Sequence, residues 1–333
     1  MKSLTFRFIL VLISFDAVAQ IEVYIPRTPG AKIEHERALM TLPTRKIVVG
    51  SNLANIRVLS PSLKTIQTFQ LDSTYREIRD LAYSSKFLVA MQSNDTSHLI
   101  RIARGASQPE VIHLNWQDQP IFFDGLAFDN DTLFLIGDPV VNEFCTFRSL
   151  DGGLNWEPTP TKIQANQGEA AYAASGQTNQ VLDGHFYFVS GGLSARFFHS
   201  PDQGSTWEIS ALPYPSCPTC GPYAMALSDK NEIMTVGGNY LAPNEAKNTC
   251  FYSTDGGKTW QAPKKGPSGY RSCVIKVNDR YYACGTNGVD CSKNGGKTWK
   301  KIYNGNCLSM TTIENTLYVS LANGSYLMLK IDR

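Results

Sequence analysis

At 333 residues, with 42% hydrophobic and 18% charged side chains, the chain has the composition of a folded protein able to bury a substantial core. A formal net charge of +2 is too small to make a polyanion the main partner, which argues against nucleic acid and anionic membrane surfaces.

Residues 1–19 read as a signal peptide. Lys2 and Arg7 form a basic start, FILVLISF is an apolar run too short to span a bilayer, and Ala17 and Ala19 occupy the small-residue positions before a cut. Cleavage after Ala19 leaves Gln20 as the mature terminus, with no Cys there to take a lipid anchor. The segment carries Lys2, Arg7 and Asp16, so its loss leaves a net charge of +1. No further apolar run of spanning length follows. The expectation is a secreted or periplasmic protein whose mature chain has no membrane span.

IEVYI at 21–25 alternates as a strand does. A preface of two β-type runs around a short polar turn then recurs. It reads ALMTLPTRKIVVGSN, DLAYSSKFLVAMQS, GLAFDNDTLFLIGDP, AYAAS with HFYFVSGG, AMALSDKNEIMTVGGN, SCVIKVNDRYYACGTNG and LSMTTIENTLYVSLANGS. Each predicts a hairpin with a Gly-rich exit toward a third strand. The prefaces mark seven units, at 33–72, 77–118, 121–160, 168–212, 221–264, 269–303 and 306–333. The last has room for three strands, ending in SYLMLKI, and the strand at 21–25 supplies the fourth. Pairing the two chain ends closes the ring and removes its open edges. No helical periodicity of useful length appears. Residues 20–333 are therefore expected to form one all-β domain, a seven-bladed β-propeller closed by an N-terminal strand in the last blade.

Four units carry one further signature, Ser-x-Asp-x-Gly-x-x-Trp. It comprises Ser149, Asp151, Gly153 and Trp156; Ser200, Asp202, Gly204 and Trp207; Ser253, Asp255, Gly257 and Trp260; and Ser292, Asn294, Gly296 and Trp299. Four of the five Trp residues belong to it, which chance does not produce. A period of about forty to fifty residues is that of propeller blades. The chemistry is that of a turn: a side-chain oxygen accepts from backbone N–H groups, Gly supplies positive φ, and Trp lays a large ring under the turn. Asn294 keeps the acceptor oxygen but not the acid, so these boxes are structural rather than catalytic.

The working end of a propeller is expected where the innermost strands begin. Aligning the prefaces gives the column Arg37, Arg79, Asp124, Glu169, Tyr223, Arg271 and Cys307, with Asp80 and Tyr270 adjacent. These side chains are expected to converge on the central channel, as a structural ion-pair ring or as a binding mouth. Asp124 and Glu169 would serve a glycosidase if they faced each other at a suitable separation.

All eight Cys lie after residue 19, and the even count in an exported chain favours disulfides. Cys217-Pro-Thr-Cys220 has redox spacing without a helix to activate a thiolate, so a loop bridge is the better reading. In SCVIKVNDRYYAC a two-residue turn at Asn278-Asp279 places Cys273 opposite Cys284, a second candidate bridge for which Cys307 competes. The five His lack ligand spacing and DNDT at 129–132 is too short for a calcium loop, so no metal is expected. No G-x-G-x-x-G follows a strand, and no cofactor is expected.

The boxes are BNR or Asp-box repeats, shared by sialidases, several glycoside hydrolases and sortilin-type receptors. The set FFDGLAF with GDPV, GEAAYAASG, GYRSCV and TNGVDCSKNGGKTW resembles the photosystem II stability/assembly-factor-like propellers and their relatives in non-photosynthetic bacteria, over nearly all of the mature chain. That resemblance implies a seven-bladed, non-catalytic scaffold that binds a protein, and a monomer is expected. The alternative is an extracellular glycoside hydrolase or carbohydrate-binding propeller of the sialidase-like superfamily. Against it, the Arg-Ile-Pro order of sialidases is replaced by YIPR, with Arg27 after the Pro, and seven units stand where sialidases have six blades.

Overall fold

The computed structural model describes residues 20–23 and 32–331. The predicted leader, and Tyr24 and Ile25 of the predicted closing strand, lie outside these. Seven antiparallel blade sheets follow one another along the chain, with a further two-stranded sheet in blade four, and each blade sheet has its innermost strand first. Those strands are Glu36–Thr41, Ile78–Tyr83, Phe123–Asp129, Asn179–Leu182, Cys220–Leu227, Cys273–Val277 and Cys307–Ile313, in blades one to seven. Each packs on its neighbours, and the seventh returns against the first, so the ring closes. This is the expected seven-bladed β-propeller.

Closure is made by both ends of the chain. Gln20–Val23 pairs antiparallel with Tyr326–Lys330 as the outermost strand of blade seven, with Ile21 opposite Met328. Blade five is the thinnest. It has three strands, and its outer edge is reduced to a single bridge between Tyr252 and Gln261.

Second strands are covered on both faces by adjacent blades, which explains their near-continuous apolar runs. Ile47–Ser51 in blade one is buried at every position. The core is accordingly a circle of interblade layers rather than one centre. Val48, Ile56, Leu81 and Ala90 fill the layer between blades one and two. Cys284, Leu317, Val319 and Leu327 fill that between six and seven.

The four boxes share one geometry. The Ser hydroxyl accepts the Gly N–H at 2.8, 2.7, 2.9 and 3.0 Å in Ser149, Ser200, Ser253 and Ser292. It donates to Oδ1 of Asp151, Asp202, Asp255 and Asn294. That oxygen in turn accepts the backbone N–H four residues on, from Asn155, Thr206, Thr259 and Thr298. Thr259 donates its hydroxyl to Asp255 Oδ2, whereas the Asn294 amide donates to the Thr298 hydroxyl at 2.9 Å. The contact survives with its direction reversed.

The Trp299 indole does lie against its own turn, donating to Gly296 O at 2.9 Å, but the boxes also pack beyond their own turns. Each box wedges into the preceding blade. A Cβ on Gly257 (φ +83°) would lie 2.3 Å from the Phe197 ring of blade four, and one on Gly296 would strike Met234 of blade five. Trp260 meets Phe197 edge-on and donates to Ser210, and Trp299 joins the blade-five core. Only Trp299, at 2% exposure, is fully buried; Trp156, Trp207 and Trp260 are half-buried. Because strands alternate in direction, these turns between third and fourth strands lie on the face opposite the starts of the inner strands.

The cysteines depart from expectation in one place. Cys217 and Cys220 are bonded to each other. Cys273 faces Cys284 across the hairpin, in the register the two-residue turn requires, yet both are free thiols. The Cys284 thiol hydrogen-bonds with Cys273 and with Cys307, so it is shared between two neighbours instead of bridging to one. All three are fully buried between blades six and seven and act there as small apolar side chains.

Candidate functional site

The innermost strand of blade four is broken, and the break defines the site. Glu169–Ala170 forms a short strand with Gly191–Gly192, and the inner strand resumes only at Asn179–Leu182. AYAAS, expected to be the first run of that blade's hairpin, is therefore not a strand. Residues 171–178 instead cross the axial mouth and touch five other blades. Ala174 O accepts from Arg37 of blade one at 3.3 Å, and Ala173 O accepts from Arg79 of blade two at 3.0 Å. Ser175 donates to Ser272 O of blade six at 2.6 Å, and Gln177 Oε1 accepts Val274 N–H of the same blade. Met225 of blade five donates its N–H to Gln177 O.

Small residues make this crossing possible. Gly176, at φ +72°, stands where any Cβ would lie 2.0 Å from the Asp80 carboxylate. The Tyr172 ring stacks on Tyr223 with centroids 4.0 Å apart, and Tyr223 meets Tyr270 edge-on at 4.8 Å. The plug is thus clamped by aromatic rings on the blade-five side and by arginines on the other.

Of the predicted column, Arg37, Arg79, Asp124 and Tyr223 converge on this plug, with Asp80 and Tyr270 beside them. Asp124 is buried beneath it and accepts the Ala173 N–H. Desolvation, reinforced by Asp138, pushes the Asp124 carboxyl well above the usual range. Asp80 is raised the same way by burial, against hydrogen bonds from Leu81 and Leu126 N–H groups. Asp138 accepts Ala171 N–H at 3.1 Å, and burial lifts it to about 6.

Glu169 and Arg271 do not join. Glu169 is paired with Arg196 of its own blade at 2.5 Å and accepts from Ser190. Arg271, with no exposure, is paired with Asp290 and also donates to Asn287 and Ser268. Cys307 turns into the layer between blades six and seven. A slip of one residue in aligning these strands moves a side chain from the channel face to the blade interior. Tyr270 and Arg37 face the channel, whereas Arg271 and Glu36 face inward, and Glu36 pairs with Arg57. Three blades thus hold a buried ion pair from the start of the first strand to the third strand, radial rather than in a ring.

The plug leaves one side of the mouth open. A cavity of about 360 Å³ lies there, lined among others by His35, Arg37, Tyr240, Tyr270, Thr286 and Asn306. Sequence reasoning missed Tyr240 and His35, which sit in loops without periodicity. It also missed the plug, although the Ala/Gly/Ser composition of AYAASG is poor for a packed strand. The five His lack ligand spacing in sequence, yet His185 and His199 share a 2.9 Å hydrogen bond in blade four, and His98 and His113 meet edge-on in blade two. No group of metal-ligand side chains occurs among the described residues.

Residues 251–262, the third box, match the BNR/Asp-box repeat family. With seven blades around one axis and the box in four of them, the assignment follows. The chain is a BNR-repeat β-propeller. No curated sequence matches it. Among solved structures, this propeller is similar to virginiamycin B lyase from Staphylococcus aureus, at 10% identity and TM-score 0.70, over 95% of this chain and 100% of that one. It is similar to BamB from Moraxella catarrhalis, at 11% identity and TM-score 0.55, over 94% and 89%. The Pan2 WD40 domain of Neurospora crassa gives 11% identity and TM-score 0.65, over 92% of each. At such identities the likeness concerns the fold alone. Among the described residues no helix is long and apolar enough to cross a membrane.

Proposed function

We propose that this propeller is an exported, monomeric protein-binding scaffold whose partner docks at the plugged axial mouth. The observation that carries the reading is how the two ends of the mouth's chemistry are used. The carboxylates a hydrolase would need are withdrawn into the fold: Glu169 is paired with Arg196 and Ser190, and Asp124 is 1% exposed beneath the plug. The groups left facing the open side are a guanidinium, an imidazole, hydroxyls and the Tyr240 ring, 48% exposed. That set offers donors and an aromatic face for binding, and no carboxylate for glycoside hydrolysis. The resemblance to assembly-factor-like propellers supports a protein as the partner, and the N-terminal residues support export.

The test is capture from the envelope fraction of the producing cell, using the purified protein and its Tyr240→Ala variant, at a ring 48% exposed on the open side of the mouth. A protein retained by the former and lost by the latter, with melting unchanged, is the expected result. Turnover of an oligosaccharide that Glu169→Gln abolishes without unfolding would favour the glycoside hydrolase alternative instead.

A further inference from the structure

Arg37 is a half-buried cation with no ion-pair partner among the described residues. Its one hydrogen bond goes to the Ala174 carbonyl, and no carboxylate lies within ion-pair distance among the described residues. The nearest acid, Glu77, is held by Arg79 at 3.0 Å. Desolvation, and after it the like charge of Arg79, lower the Arg37 pKa against smaller opposing effects of Tyr270 and Glu77. A desolvated charge in this situation is costly unless something pairs with it. A second group points the same way. His35 Nδ1 is buried and has no hydrogen-bond partner among the described residues, and desolvation with Arg37 and Arg79 keeps its imidazole below its ordinary pKa.

Both groups line the 360 Å³ cavity, together with Tyr240, Tyr270, Thr286 and Asn306, and no Asp or Glu lines it. The cavity therefore combines an unpaired guanidinium, an unpaired ring nitrogen, side-chain hydroxyl and amide groups, and an aromatic wall. A guanidinium presents a planar fork that fits a carboxylate with two parallel hydrogen bonds. A dianionic phosphate calls for more cationic charge than one free guanidinium supplies.

We infer that this cavity is a carboxylate-binding site in which Arg37 takes the anion and Tyr240 covers its organic part. The inference rests on the axial mouth being the working surface. The carboxylate belongs either to a free small acid or to the end of a longer chain, and the same chemistry holds both.

The experiment is calorimetric titration of the purified protein with acetate, with a hexuronic acid, and with a short peptide bearing either a free or an amidated C-terminus, all at constant chloride. At least one free carboxylate is expected to bind, the amidated peptide is expected to lose most of its affinity, and Arg37→Gln is expected to weaken binding by about ten-fold or more. Binding of the hexuronic acid alone identifies a free acid as the source; binding of the free-ended peptide alone identifies a chain end. Arg45→Gln, which removes an exposed pair with Glu314, serves as a control that leaves binding intact. No carboxylate binding, phosphate binding in its place, or unchanged affinity in a folded Arg37→Gln variant would overturn the inference. Failure of every carboxylate to bind while partner capture persists would overturn this inference alone and leave the scaffold reading standing.

Discussion

Replacing Arg271 with Ala should unfold the protein measurably, although the sequence places Arg271 at a binding mouth. Its side chain has no exposure, and Asp290 is 1% exposed. Removal leaves the Asp290 carboxylate with only Ser268 as a donor among its present partners. Breaking a buried pair from one side costs about 3–5 kcal/mol, because the remaining charge is uncompensated. At about 2 cal/mol/K of unfolding entropy per residue, a domain of this size loses one degree for roughly 0.6 kcal/mol, so the melting temperature should fall by about 5–8 °C. Arg271→Met combined with Asp290→Leu should recover most of that loss, since no orphan charge is left. Arg45→Ala, at a pair exposed by 70% and 63%, should change melting by no more than about 1–2 °C. Tryptophan fluorescence during thermal unfolding reads all three. If Arg271→Ala melts with the parent, the radial ion pair contributes nothing and the reasoning about these pairs is wrong.

Asp138 gives a pH prediction with a fixed sign. Burial raises its folded pKa to about 6, above its unfolded value, so the folded state holds the proton longer. Stability should therefore fall as pH rises from about 4 to 6, and Asp138→Asn should flatten that slope in melting curves and raise stability at pH 7. In the third box, hydrogen bonds from Thr259 and Ser253 depress Asp255 to about 2. Asp255→Asn should nonetheless be close to silent in thermal melts at neutral pH, because Asn294 already makes the same contacts. Trp299→Ala should cost about 3–5 kcal/mol in denaturant unfolding, and Trp260→Ala, half-buried, clearly less. Deleting residues 20–23 removes the outer strand of blade seven and should lower the melting temperature of the whole ring, as circular dichroism would show.

The architecture was legible because it repeats. Seven prefaces and four boxes report the same local chemistry again and again, and a small error in one unit is corrected by the others. The mouth was less legible because it depends on departures from the repeat. The crossing of 171–178 occurs once, and a period-based reading forces AYAAS into a strand. Glu169 and Arg271 were misplaced for a related reason: a strand alternates its faces, so an alignment good to a residue or two still assigns the wrong face. Their partners Arg196 and Asp290 lie 27 and 19 residues away on third strands. Nothing in local sequence announces such a pair. The Cys273 and Cys284 register followed from turn geometry, but the third thiol that shares their space comes from blade seven, beyond the reach of hairpin reasoning.

The central claim is that the plugged axial mouth, and not the opposite face with its Asp-box turns, is where this propeller works. Hydrogen exchange of the protein alone and bound to a captured partner measures this directly. Protection is expected to gather in the segments around His35 and Arg37, at 171–178 and around Tyr240 and Tyr270, with exchange at Asp151, Asp202, Asp255 and Asn294 unchanged. Protection centred on those four turns, with the mouth unaffected, would contradict the account.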